Sequence, residues 1–198
     1  MDLFANLPNE PMPMFREWLT VAETSEPNDA NAAALATATR DGLPSVRMVL
    51  VKGAEDRGLS IFTDRDSQKG REIAGNPEVA LCLHWKSQRR QVRFAGRMEP
   101  LSREESERYF HSRSRGSQIA AAVSHQSEPL ASRAELDTAV KQYEQELGGA
   151  EVPLPERWVG FLLVPRRVEF WSDGKDRLHD RVVFLRDGDG WKTERLYP

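Results

Sequence analysis

The sequence predicts a mostly β protein, an antiparallel sheet closing into a barrel with flanking helices. Two observations carry this. Five short runs between Ala33 and Met98 repeat at period two, parted by turn signals such as Asp41-Gly42 and Arg57-Gly58. A doubly wound parallel sheet would need a helix between most strands, and the Gly-x-Gly-x-x-Gly fingerprint is absent.

Residues 1–12 are polar and proline-bearing, and are expected to form a flexible segment ahead of one domain over 13–198. A first helix is predicted from about Pro13 to Ala22, because proline suits a first turn and Phe15, Trp18, Leu19 and Ala22 share a face. After a loop over 23–31, strands are predicted at Ala33–Thr39, Ser45–Lys52, Leu59–Thr63, Val79–Trp85 and Gln91–Met98. A helix starts at Ser67 and ends near Gly75-Asn76-Pro77. A helical insertion over about 102–148 opens on a capping box at Ser102–Glu105, which starts a helix running to about Ser112. A second capping box at Ser132–Glu135 starts a helix that stops at Gly148-Gly149. Beyond a proline-rich linker over 151–157, strands return at Trp158–Val164, Arg167–Trp171, Arg177–Leu185 and Trp191–Leu196.

The chain has 198 residues and a net charge of −3, so no global field draws it to nucleic acid or anionic membrane, and any anion site is local. No run of about 18 apolar residues is present, the start lacks signal-peptide character, and the single Cys82 makes no internal disulfide. The expected location is the cytoplasm. His84, His111, His125 and His179 lack ligand spacing, so no metal site is expected.

Four stretches carry candidate chemistry. From Glu169 to Arg181 the chain reads as strand, polar turn, strand, in which Arg177, His179 and Arg181 share a face of the second strand and Glu169 and Trp171 share a face of the first in the same way. That is a wall for a flat anionic ligand, or else a solvated face neutralised by Asp173, Asp176 and Asp180. At Thr63–Arg71 a helix begins at Ser67 with Lys69 in its first turn, which suits an anion at the helix N-terminus; an ordinary surface start balanced by Asp64 and Asp66 is the competing reading. Arg47 and Lys52 are five apart and fall on opposite strand faces unless the strand ends or bends near Lys52, or two subunits meet there. Tyr109, Arg113 and Ser117 are spaced by four, good chemistry for a phosphate ester, although Gly116 argues against one continuous helix. Between residues 86 and 97 lie five basic residues, but one aromatic and an acidic chain speak against nucleic acid; Gln91 suits the edge of a heterocycle.

Together these residues resemble the pyridoxine/pyridoxamine 5′-phosphate oxidases, FMN enzymes of the split-barrel flavoprotein fold. The matching pieces are Arg47–Lys52, Phe62-Thr63, Ser67–Gly70, Gln91–Arg93, Tyr109–Arg113, Ser117–Ile119, Ser124–Ser127, Pro153–Pro155, Glu169–Trp171, Arg177-Leu-His-Asp-Arg181 and the ending Arg195–Pro198. The resemblance implies a Greek-key-like split β-barrel and a homodimer with FMN between subunits. It implies FMN contacts from Arg47, Met48, Val49, Leu50, Val51, Lys52, Phe62, Thr63, Gln68, Lys69, Gln91, Gln126, Ser127, Trp171 and Arg181. Lys52, Tyr109, Arg113 and Ser117 would take the substrate phosphate, with Arg177, Leu178 and His179 over the pyridine ring and Arg177 and His179 catalytic. The implied reaction oxidises pyridoxine or pyridoxamine 5′-phosphate to pyridoxal 5′-phosphate, with O2 as final acceptor. A phenazine-pathway FMN oxidase and a non-catalytic flavin- or haem-binding barrel are the alternatives. Two departures stand out: residues 1–12 lack the Arg-Arg-x-Tyr segment that often covers the substrate, and Gln68 stands where many members have arginine.

Overall fold

A computed structural model describes residues 4–198. Helix α1 (Pro11–Ser25) is followed by strands β1 (Ala32–Ala38), β2 (Pro44–Leu50), β3 (Gly53–Glu55) and β4 (Gly58–Asp64), then helix α2 (Gln68–Gly75). Strands β5 (Glu78–Trp85) and β6 (Arg90–Pro100) lead to helices α3 (Arg103–Ser112), α4 (Arg115–Val123) and α5 (Arg133–Leu147). Strands β7 (Trp158–Ser172), β8 (Asp180–Asp187) and β9 (Gly190–Arg195) close the chain. Every strand pair is antiparallel, in the order β2-β1-β5-β6-β7-β4-β3, with β8 and β9 continuing from β7.

The expected mostly β split barrel with flanking helices is what forms. The split lies along β7. Its first half, to Leu163, pairs with β4, and its second half, from Arg167, pairs with β8, while β6 runs along the other side. The inward row Leu35, Leu81, Phe94, Val168 and Phe184 passes in register across five strands, each at most 1 % exposed. Helix α1 covers this row, with Phe15 edge-on to Phe94 at 4.9 Å and Trp18 edge-on to Phe170 at 5.2 Å. Each such aromatic contributes about 2 kcal/mol of burial.

The outward face differs. Alanines 32, 34, 36, 80 and 95 line its centre, and Val46, Met48 and Leu50 stand exposed on edge strand β2.

Several expectations need correction. Residues 1–3 lie outside the described residues, but the rest of the N-terminal segment is docked: Phe4 is buried against Trp18, and the helix already begins at Pro11. The two strands expected either side of Pro165 are one strand. Helix α4 and the short β3 are additions to the expected elements. At α5, Ser132 caps the Glu135 amide, but the reciprocal bond of a capping box is present only at α3. The strand expected from Arg177 starts at Asp180; Arg177 sits in a turn, with positive φ at Asp176 and Arg177. Arg177, His179 and Arg181 therefore do not share a strand face. Gly174 explains the turn, because a Cβ there would lie 1.9 Å from the Leu178 carbonyl oxygen, so only glycine lets residues 173–179 fold back so tightly.

Candidate active site

The first half of the site is built where β4 hands over to α2. Ser67 caps α2, accepting from the Gly70 amide and donating to the Asp64 carbonyl at 2.6 Å. This turns Lys69 inward, where it is 8 % exposed. Its Nζ donates to Gln126 Oε1 at 2.7 Å, Thr63 Oγ1 at 3.2 Å and Ser67 Oγ at 3.4 Å, and Thr63 also donates to Gln126. The Gln68 amide, a free donor at the helix start, reaches Ser127 Oγ at 3.2 Å. Among the described residues Lys69 has no ion pair within 4 Å. Burial, and then the neighbouring Arg47, push its pKa below the ordinary lysine value. A buried, unpaired ammonium beside helix N–H groups is suited to an anion.

Arg47 stands next to this group without lining the cavity. Its guanidinium is held by Thr37, by Ser45 at 2.5 Å and by Glu72 at 3.3 Å. Glu72 also accepts from Gln68 Nε2 at 3.0 Å. Burial works to raise the Glu72 pKa, but hydrogen bonds from Ser45, Thr37, Gln68 and Arg47 outweigh it and hold it down to about 2. Glu72 is not among the residues that the sequence pattern singles out; its i,i+4 spacing from Gln68 is the signal that could have found it.

The second half lies across the same cavity of about 520 Å³. Lys52, Tyr109, Arg113, Ser117 and Trp158 line it together with Met48, Val49, Leu50, Phe62, Thr63, Lys69 and Gln126. Val51 is buried in the core beside it. Tyr109 and Ser117 are not on one helix: α3 ends at Ser112, Arg113 takes extended φ/ψ at the corner, and α4 begins at Arg115. The corner still converges all three. Phe62 stacks on Tyr109, 4.0 Å between centroids. The Arg47–Lys52 parity conflict disappears because β2 ends at Leu50, and the Lys52 amide turns to bond the Ser60 carbonyl.

Gln91, Trp171 and Arg181 meet on β6, β7 and β8, each paired with the next. Glu169, 2 % exposed, takes Arg181 through Nε and Nη2 at 3.1 and 2.7 Å and also binds Arg93 and Arg167. Burial tends to raise the Glu169 pKa, and the three arginines bring it below the usual carboxylate range. His179 lies 4.7 Å from Trp171, its Nδ1 accepting from the Gly174 amide at 3.1 Å, with Asp173 at 3.2 Å. Arg177 and Leu178 project from the exposed turn.

These residues sit far from the cavity within one chain. Val159, beside Thr63, and Trp171, beside Gln91, are at opposite ends of β7, about 40 Å of strand apart. Gln91, Trp171 and Arg181 instead share the outward face with Met48 and the alanines.

The model for the pyridoxamine 5′-phosphate oxidase family matches residues 21–146, and that for the pyridoxine 5′-phosphate oxidase C-terminal dimerisation region matches residues 158–198. The pyridoxine/pyridoxamine 5′-phosphate oxidase of Gluconobacter oxydans is 49% identical over 98% of this chain and 96% of its own. That of Rhizobium johnstonii is 52% identical over 96% and 93%. Among solved structures, PhzG from Burkholderia lata in complex with tetrahydrophenazine-1-carboxylic acid superposes with a TM-score of 0.95 at 33% identity, covering 100% of this chain and 97% of that one. Two adjoining family models and relatives at half identity along nearly the whole length place this chain in the pyridoxamine 5′-phosphate oxidase family.

Proposed function

We propose that this chain oxidises pyridoxine 5′-phosphate and pyridoxamine 5′-phosphate to pyridoxal 5′-phosphate, using FMN, with O2 as final acceptor. The observation that carries the reading is the pair of donor groups in one cavity. Lys69, Thr63 and the α2 start form one; Lys52, Tyr109, Arg113 and Ser117 form the other. Two phosphate-bearing ligands account for both groups.

The residues suit FMN. Lys69, Ser127, Gln68 and the neighbouring Arg47 would hold its phosphate, and Gln126, Phe62, Thr63 and the Met48–Val51 backbone its remaining body. Gln91, Trp171 and Arg181 would come from the partner of a homodimer, whose outward faces bring the far end of one β7 to the cavity of the other. When bound, FMN would supply a two-electron acceptor for the hydride on the substrate's 4′ carbon, with O2 as the final acceptor giving H2O2. The chain's task is alignment. Arg113, Tyr109, Ser117 and Lys52 hold a phosphate remote from the reacting carbon, so binding energy fixes the ring's pose. Arg177 and His179 would close over the pyridine from the partner, with the Gly174 amide donating to the imidazole at Nδ1 and so fixing its orientation. A phenazine-type oxidation gains less support, since a phosphate-free tricycle leaves part of the second donor group without use.

The test is direct. Purified yellow protein, given pyridoxine 5′-phosphate without air, should lose its visible flavin absorbance; on readmitting air it should regain colour and form H2O2 and pyridoxal 5′-phosphate. A flavin that stays oxidised with pyridoxine and pyridoxamine 5′-phosphates, but bleaches with a dihydrophenazine carboxylic acid, overturns the reading.

A further inference from the structure

Trp158, the first residue of β7, is given no ligand by the sequence pattern or by the function above. It lines the cavity beside Arg113 and Ser117. The Arg113 guanidinium lies 4.4 Å over its ring centre, and Phe110 backs the ring at 5.9 Å. Its indole Nε1 is buried with no hydrogen-bond partner in the structure, and so is Arg113 Nη1. Leaving a buried donor unmade is unfavourable, and two on stacked side chains at one cavity wall call for a shared acceptor. A phosphate monoester has three terminal oxygens, enough to accept from both while still bonding Tyr109, Ser117 and Lys52. The burial that pushes the Arg113 pKa below the usual guanidinium value agrees with a cation waiting for an anion.

We propose that Trp158 is a binding residue for the substrate phosphate: its ring face fixes the Arg113 guanidinium by a cation–π contact, and its N–H donates to a phosphate oxygen. The inference rests on Arg113 holding the substrate phosphate rather than that of FMN.

The experiment uses the FMN-loaded protein and three probes: 4-deoxypyridoxine 5′-phosphate, which has no oxidisable 4′ group, its dephosphorylated form, and inorganic phosphate. Dissociation constants are read by calorimetry in the parent chain, Trp158→Phe, Arg113→Ala and the double variant. Trp158→Phe keeps an aromatic platform and deletes the donor. It should weaken the phosphorylated probe and inorganic phosphate about tenfold and the dephosphorylated probe less than twofold, with FMN retained. The double variant should lose less than the product of the single losses, because both act on one phosphate. If Trp158→Phe folds poorly, benzothienylalanine at 158 keeps the bicyclic shape, removes only the N–H, and must give the same selective loss. Equal weakening of phosphorylated and dephosphorylated probes, or no weakening where Arg113→Ala still weakens, makes Trp158 a packing residue and overturns the inference. Loss of FMN in Trp158→Phe assigns it to the cofactor and overturns it as well. If Arg113→Ala leaves the phosphorylated probe unaffected, the parent assignment of Arg113 falls, and the inference with it.

Discussion

Lys69 and Glu72 share one helix and are tuned in opposite senses. Glu72 is kept ionised by four donors, its pKa at about 2, so at neutral pH it is a fixed anchor for Arg47 and Gln68. Lys69 is hydrogen-bonded only to neutral groups, and burial lowers its pKa from the ordinary 10.5. An FMN phosphate would reverse part of that shift, since an adjacent anion favours the charged ammonium. Between the lowered pKa of the FMN-free protein and the higher one of the loaded protein, binding takes up a proton. FMN affinity should therefore be flat between the phosphate's own second ionisation, at about pH 6, and that window, and fall as pH rises through the window, starting below 10.5. In Lys69→Met the affinity should drop roughly 10- to 100-fold at neutral pH, and the alkaline fall should vanish. Quenching of flavin fluorescence on titrating apo-protein measures both, and a fall that survives in Lys69→Met removes Lys69 from the phosphate.

At the scale of elements, β7 is the strand on which the architecture turns. A proline at 165 reads in sequence as a break, since it offers no ladder donor. The strand continues because it bulges: the adjacent Ala95 and Gly96 of β6 face Arg167 and Pro165, leaving Arg166 of β7 as the extra residue. Gly96 makes this possible, for a Cβ there would lie 2.1 Å from the Val164 carbonyl oxygen and 2.8 Å from the Pro165 Cα. Gly96→Ala must push backbone against backbone, so it should cost roughly 1–3 kcal/mol, seen as a lower urea midpoint at unchanged slope. An unchanged midpoint shows that the bulge relaxes freely. Most elements are legible in the amino-acid sequence, because period-two strands and the Ser102 and Ser132 caps are local signals. The features that are not legible depend on approaches beyond a few residues. Alternation of Arg177, His179 and Arg181 imitates a strand, while Gly174 packed against the Leu178 carbonyl makes a turn. The spacing of Tyr109, Arg113 and Ser117 groups the right three residues, yet a corner between helices brings them together rather than a helical stripe. Trp158 reads as a strand start, since an orphaned N–H is visible only once its neighbours are in place.

For the molecule as a whole, the chain carries its family's dimerisation region, and its outward face presents Val46 at 67 %, Met48 at 64 % and Leu50 at 39 % exposure on β2. Contiguous apolar side chains on a sheet face of small residues suit a second copy of the same face. That assembly gives the separation of the two residue groups along β7 a purpose. Each FMN site would take Lys69 and its neighbours from one subunit and Trp171, Arg181 and the 173–179 turn from the other. The arrangement has a consequence that a one-chain site lacks. A subunit bearing Lys69→Met and a subunit bearing Trp171→Ala would each form homodimers with both sites damaged and FMN binding weakened. In a hybrid dimer both lesions would fall in one site, and the other would be assembled wholly from native residues. Unfolding and refolding an equimolar mixture yields hybrids as half of the dimers, so about a quarter of all sites should recover FMN binding and oxidase activity. Were each site contained in one chain, no hybrid would hold an intact site and the mixture would stay as inactive as its parents. The expected recovery is read as flavin retained after gel filtration and as H2O2 formed from pyridoxine 5′-phosphate. Flavin retention is independent of the substrate assignment, so its absence from demonstrated hybrids would return the site to a single chain.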